Sequence, residues 1–98
     1  MYARLTTIVF APQEPDAAGT IFGHILPLVE ELNGFKGMVM LSGVEERSMV
    51  MLTLWETAAA LAAAEPVLEN LKQAETSFRR VEVKNTARLR VVGSRLNL

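Results

Sequence analysis

The stretch Phe35-Lys36-Gly37-Met38-Val39-Met40-Leu41, followed after a polar link by Met49-Val50-Met51-Leu52-Thr53-Leu54-Trp55-Glu56, decides the fold. Each segment has the length of a strand and is rich in residues that suit a pleated surface. Each is also apolar at nearly every position. A strand with one wet face alternates apolar and polar side chains. Here Met38 and Met40 oppose Val39 and Leu41, while Met49, Met51 and Trp55 oppose Val50, Leu52 and Leu54. Both faces of these strands therefore need cover. The link Ser42-Gly43-Val44-Glu45-Glu46-Arg47-Ser48 is long enough for a loose hairpin between them.

Upstream, Tyr2 to Phe10 has no Gly or Pro, is rich in β-branched and aromatic residues, and reads as a strand. It stops at the loop Ala11-Pro12-Gln13-Glu14-Pro15-Asp16. From Asp16, a plausible cap, Ile21, Ile25, Leu28, Val29 and Leu32 recur at the spacing of one helical face, up to a stop at Asn33-Gly34. Pro27 inside this helix predicts a kink or a late restart. Downstream, Thr57 begins an alanine-rich helix with Leu61, Ala64, Leu68 and Leu71 on one face, extended by Val67, Ala74 and Phe78. Glu65-Pro66 is expected to divide it, with Pro66 opening a second segment. In the last strand Val81, Val83, Ala87, Leu89 and Val91 alternate with Glu82, Lys84, Thr86, Arg88 and Arg90, and Asn85 interrupts the apolar row. The charged row suits an exposed edge, where charge blunts unwanted pairing.

The order β-α-β-β-α-β is the split-βαβ or ferredoxin-like arrangement, an α+β fold with a four-stranded antiparallel sheet and two helices on one face. Two helices cover one face of that sheet. The other is expected to meet the same face of a second copy, making a homodimer shaped as an α+β barrel. With 98 residues the chain is expected to form one domain, residues 1–98.

Composition narrows the function. No apolar run approaches the roughly 20 residues that span a bilayer, and no secretory signal is visible at the start, so a cytoplasmic protein with no membrane partner is expected. The absence of cysteine removes disulfides, a thiolate nucleophile and zinc–cysteine sites, and a single histidine removes a three-histidine zinc site from one chain. No metal site is expected, and no Gly-rich phosphate loop stands out. Net charge is -1, yet residues 79–98 hold six basic residues against Glu82 alone. That basic tail has no interleaved aromatics, so nucleic acid is not expected as a partner.

Several short motifs, in order along essentially the whole chain, carry a family likeness. Met1-Tyr2-Ala3-Arg4 with Thr6-Thr7, then Asn33-Gly34-Phe35-Lys36-Gly37, then Leu54-Trp55-Glu56 followed by Ala60-Leu61 and Ala63, resemble the antibiotic biosynthesis monooxygenase family of dimeric α+β barrels. The resemblance implies a monooxygenase-like protein that binds a small aromatic, phenolic or quinol compound and works without a cofactor. In such members an acidic phenol or anthrone loses a proton, and its anion meets oxygen in a water-poor pocket. Haem-degrading members carry a histidine on the helix after the strand tryptophan and an asparagine on the first strand. This chain has neither, so haem is not expected. The alternative is a non-catalytic dimer of the same fold that binds a hydrophobic ligand or serves a stress response.

Five residues are candidates for a site. Trp55 matches the family's pocket tryptophan; by its own position it is either core or a stacking wall for a flat ligand. His24 borders the apolar stripe of the first helix and is the available general base, or else a partly exposed histidine without a role. Arg4 and Thr7, on opposite faces of the first strand, are either residues that orient a substrate oxygen or, for Arg4, an exposed strand charge and, for Thr7, a residue chosen for β-propensity. Asn85 is either a hydrogen-bonded pocket residue or a cap at a bulge. The stripe Met38, Met40, Met49 and Met51 reads as dimer or helix core.

Overall fold

The computed structural model describes residues 1–10, 17–42, 48–78 and 81–95. Strand β1 (Tyr2–Phe10) is followed by helix α1 (Ala17–Val29), strands β2 (Phe35–Ser42) and β3 (Ser48–Trp55), helix α2 (Ala58–Phe78) and strand β4 (Val81–Arg90). The four strands form one antiparallel sheet in the order β2-β3-β1-β4, the ferredoxin-like topology expected from the sequence. The loop at Ala11 to Asp16 and the hairpin link, residues 43–47, lie outside the described residues.

The pairing register sorts the side chains into two faces. Tyr2, Arg4, Thr6 and Ile8 of β1 stand beside Trp55, Thr53, Met51 and Met49 of β3, and this is the face the helices cover. Ile21, Ile25 and Val29 of α1 and Leu61, Ala64 and Leu68 of α2 are buried against it. Removing each such aliphatic side chain from water contributes about 1.5–3 kcal/mol. Trp55, fully enclosed, meets Phe35 edge to face with ring centroids 5.7 Å apart. The opposite face carries Ala3, Leu5, Thr7, Val50, Leu52, Leu54, Val39, Leu41, Ala87 and Leu89, and among the described residues no helix lies on it.

Two turns fix how the layers meet. Thr57 Oγ1 accepts a hydrogen bond from the Ala60 N–H at 3.0 Å, capping α2 where the sequence starts it. Gly34 has φ +81°, and a Cβ there would collide with the Ala60 side chain. Its carbonyl accepts the Glu56 N–H at 2.8 Å. Glycine is thus required twice over where β2 passes the start of α2.

Four details differ from the sequence expectation. Helix α1 ends at Val29, and the chain reaches Gly34 through turns rather than further helix; Leu28 is exposed instead of joining the buried stripe. Pro27 lies inside α1, so there is no late restart. Helix α2 is continuous through Pro66, which sits on the exposed side with Ala62. The Ala62 carbonyl that loses its donor there can turn to water, so the proline does not divide the helix. Lastly, the register between β1 and β4 shifts at Thr7/Ile8: Asn85 pairs with Thr7 while Val83 pairs with Ile8, leaving Lys84 as the extra residue of a bulge. Val83 therefore packs on the helix-side core, while Ala87 and Leu89 lie on the bare face; the apolar row of β4 changes sides.

Candidate functional site

The helix-side face of β1 carries buried polar groups. Arg4 is 2% exposed, Thr6 1% and Thr53 1%. Strand alternation forces Arg4 inward with Tyr2 and Thr6, and the β1–β3 register places Thr53 directly beside it. Arg4 Nη2 donates to Glu69 Oε1 of α2 at 2.6 Å, while its Nε and Nη1 have no hydrogen-bond partner among the described residues. The Thr6 hydroxyl has none either. Trp55 Nε1 donates to Thr53 Oγ1 at 3.0 Å, and that hydroxyl reaches the Arg4 carbonyl at 3.5 Å. The tryptophan and the arginine are thereby joined through one threonine.

Two arginines, Arg4 and Arg88, stand opposite each other on β1 and β4, a repulsive cross-strand pair. Helix α2 answers with two carboxylates one turn apart. Glu69 takes Arg4, and Glu65 Oε1 lies 2.7 Å from Arg88 Nε, as an ion pair without aligned hydrogen-bond geometry. Lys72 also closes on Glu69, at 2.8 Å. The hydrogen bond and charge of Lys72, with Arg4 adding to them, hold the Glu69 carboxyl below its ordinary range against the opposing effect of burial.

A groove of about 420 Å³ opens between α2 and β4 at this network. Its apolar lining comes from Tyr2, Ala58, Leu61, Ala62 and, at the β4 edge, Leu89, and its rim is charged, made by Glu65, Arg88 and Arg90. Arginine stays protonated at any ordinary pH and presents a flat fork of donors, so the rim suits an oxygen that carries or develops negative charge. A second cavity, also of about 420 Å³, lies on the bare face over Val39, Leu52 and Leu54, with Lys36 and Arg90 at its edge. Among the described residues no three His, Cys, Asp or Glu side chains gather to hold a metal ion. No helix there is long and apolar enough to cross a membrane.

The structure distributes the five candidates over three places. Arg4 and Trp55 share the helix-side interior, linked through Thr53. Thr7 and Asn85 face each other across β1 and β4 on the bare face, with Asn85 exposed beside the Lys84 bulge. His24 is exposed on α1 beside the buried stripe. Trp55 and His24 therefore do not converge: one is sealed in the core and lines neither groove, the other is at the surface. Sequence reading passed over Tyr2, Glu65, Glu69, Arg88 and Arg90 as site residues. The signal for them was the four-residue spacing of the two glutamates on a helix, opposite arginines at alternate positions of a strand.

No protein-family model and no curated protein matches the chain. Solved structures do. A protein from Deinococcus radiodurans provisionally named an antibiotic biosynthesis monooxygenase superimposes with a TM-score of 0.76 at 13% identity, over 100% of this chain and 98% of its own. A monooxygenase from Streptomyces coelicolor, in complex with the ligand nanaomycin D, gives 0.68 at 16% identity over 99% and 92%. A variant of MhuD with two manganese protoporphyrin IX molecules per active site gives 0.70 at 20% identity over 99% and 100%. The chain thus has the fold of proteins named antibiotic biosynthesis monooxygenases, as its short motifs implied.

Proposed function

We propose that this is a cytoplasmic, homodimeric, monooxygenase-like protein of one domain, which binds a small flat phenol or quinol in the groove between α2 and β4. The observation that carries the reading is the pairing, in one groove, of the apolar floor at Tyr2, Leu61 and Ala62 with the guanidinium rim at Arg88 and Arg90. A ring lies on the floor and its hydroxyl meets the rim. A guanidinium beside a phenol favours the phenolate, the species that gives electrons to dioxygen. Overall, a phenol and dioxygen give a quinone and water: one oxygen atom joins the ring, and the other leaves with the hydroxyl hydrogen and the ring hydrogen. Glu65 is the carboxylate within the groove that can take the first proton. The fold likeness to a monooxygenase holding nanaomycin D supports the same class of ligand.

The dimer belongs to this proposal. The bare face of the sheet, with Leu41 55% and Leu89 45% exposed, is apolar across all four strands, and a second copy applied face to face covers it. Such an interface buries on the order of 2,000 Å² in total.

A second reading, a ligand carrier without turnover, is favoured by the separation of Trp55 from His24, which leaves no imidazole at the groove. Oxygen uptake and binding of naphthol, measured side by side, separate the two. Uptake matched by naphthoquinone formation, and lost in Arg88→Met, supports the oxygenase; binding without uptake supports the carrier. Absence of naphthol binding at millimolar concentration overturns both.

A further inference from the structure

The ion-pair network leaves Arg4 half used. A guanidinium carries five N–H donors, and this one, 2% exposed, spends one nitrogen on a single oxygen of Glu69 while Nε and Nη1 have no hydrogen-bond partner among the described residues. An unpaired donor in such a place costs about 1–3 kcal/mol, more when charged. Beside it on the same face, two residues along β1, the Thr6 hydroxyl is likewise buried and unpaired. Replacing a buried, ion-paired arginine by a methionine of similar length is often neutral or stabilising, so packing alone does not call for an arginine here.

Charge points the same way. Among the described residues that pair here or line the groove, four cations, Arg4, Lys72, Arg88 and Arg90, stand against two carboxylates, Glu65 and Glu69. The chain as a whole is slightly acidic, with net charge -1. Arg4 and Thr6 lie behind the groove's lining rather than in it: Tyr2, which lines the groove, precedes Arg4 by two residues on the same face, a rise of about 7 Å, and Arg88, on the rim, is its cross-strand neighbour. The Arg88 side chain is 71% exposed and can turn toward water, giving up its ion pair with Glu65.

We propose that Arg4, with Thr6, is an inner oxyanion subsite behind the groove's lining, and that the ligand is an aromatic compound bearing an ionised oxygen, such as a hydroxyaryl carboxylate, which displaces the Arg88 side chain to take the spare Nε and Nη1 donors. The inference rests on the phenol-binding reading of the outer groove and narrows its ligand to aromatic acids. Arg4 is then kept for binding, at a cost to the folded state.

The test is calorimetric titration of the full chain, under nitrogen and at fixed ionic strength, with naphthol and with hydroxynaphthoate, which differ by one carboxylate. A charge-assisted hydrogen-bond pair corresponds to about tenfold or more in affinity. The acid is expected to bind the wild type at least about tenfold tighter than naphthol. Arg4→Met should bring that ratio near one, and Thr6→Val should lower the ratio a few-fold. Equal affinities in the wild type, or a ratio that survives Arg4→Met, overturn the subsite and assign the acid to the rim arginines. If Arg4→Met does not fold, the decision passes to the wild-type ratio and Thr6→Val, whose unchanged ratio likewise overturns it. Binding of the acid but not of naphthol, with Arg4 dependence intact, would retain the subsite and remove the phenol reading of the outer groove.

Discussion

On the helix side of β3 the side chains of Met49, Met51, Thr53 and Trp55 are buried; on the other side of the same strand Val50, Leu52 and Leu54 are only half covered. The two sides are comparably apolar, so composition does not distinguish them. What separates them is which polar groups they hold. Buried Arg4, Thr6 and Thr53 all lie on the helix side, where α2 supplies Glu69 and the ion pairs. The bare side offers a broad apolar surface on which Thr7 and Asn85 sit together toward one end. The face that folds the chain also carries its candidate chemistry, and the face that is left over is suited to a second copy.

The largest effect expected from breaking this contrast is on the bare face. Leu52→Asp would place an unpaired charge in the middle of the proposed interface, a cost of several kcal/mol, and soluble dimer should be lost in size-exclusion chromatography. A soluble dimer with wild-type elution would contradict the assignment of that face.

On the helix side, Trp55→Ala should lower unfolding free energy by about 3–5 kcal/mol in urea denaturation, because it removes a fully enclosed ring and its contact with Phe35. A loss below about 1 kcal/mol would mean that the ring is not core. Gly34→Ala tests how α2 is laid against β2. The positive φ and the collision with Ala60 should cost about 1–3 kcal/mol by the same measurement.

The smallest effect concerns the ion pairs that join α2 to the sheet. The Glu69 carboxyl is depressed in the folded chain, chiefly by Lys72, so its stabilising contribution is present above the ordinary glutamate value of 4.5 and is lost as pH falls through the lower folded value. Because Glu69 is 41% exposed, water screens much of it. Melting temperature should fall more steeply below pH 4.5 in the wild type than in Glu69→Gln, and parallel curves would show that the pair contributes nothing.

Much of the fold was legible in the residues. Strand and helix order followed from Tyr2 to Phe10, the two apolar segments around Met38 to Leu41 and Met49 to Trp55, and the alanine-rich run after Thr57. Each boundary carried local chemistry of its own, such as the Thr57 cap and Gly34. Less legible was which side of β2 and β3 is core, because hydrophobic alternation is silent when both rows are apolar; pairing partners decide it. The bulge at Lys84 had no signature beyond Asn85, yet it turns the rest of β4 over. Pro66 misled because its effect depends on whether the freed carbonyl can meet water. The candidate site was the least legible part. Arg4 on a strand reads as an exposed charge, and its burial depends on a glutamate 65 residues away that only the folded chain brings near.

The central claim is that one face of the sheet is an intramolecular core bearing the site while the other is an interface between copies. Multi-angle light scattering of the purified chain at micromolar concentration tests it most directly. The expected result is a mass twice that of one chain, falling to a single chain in any Leu52→Asp that stays soluble. A stable wild-type monomer at that concentration, with its bare apolar face in water, would contradict the account.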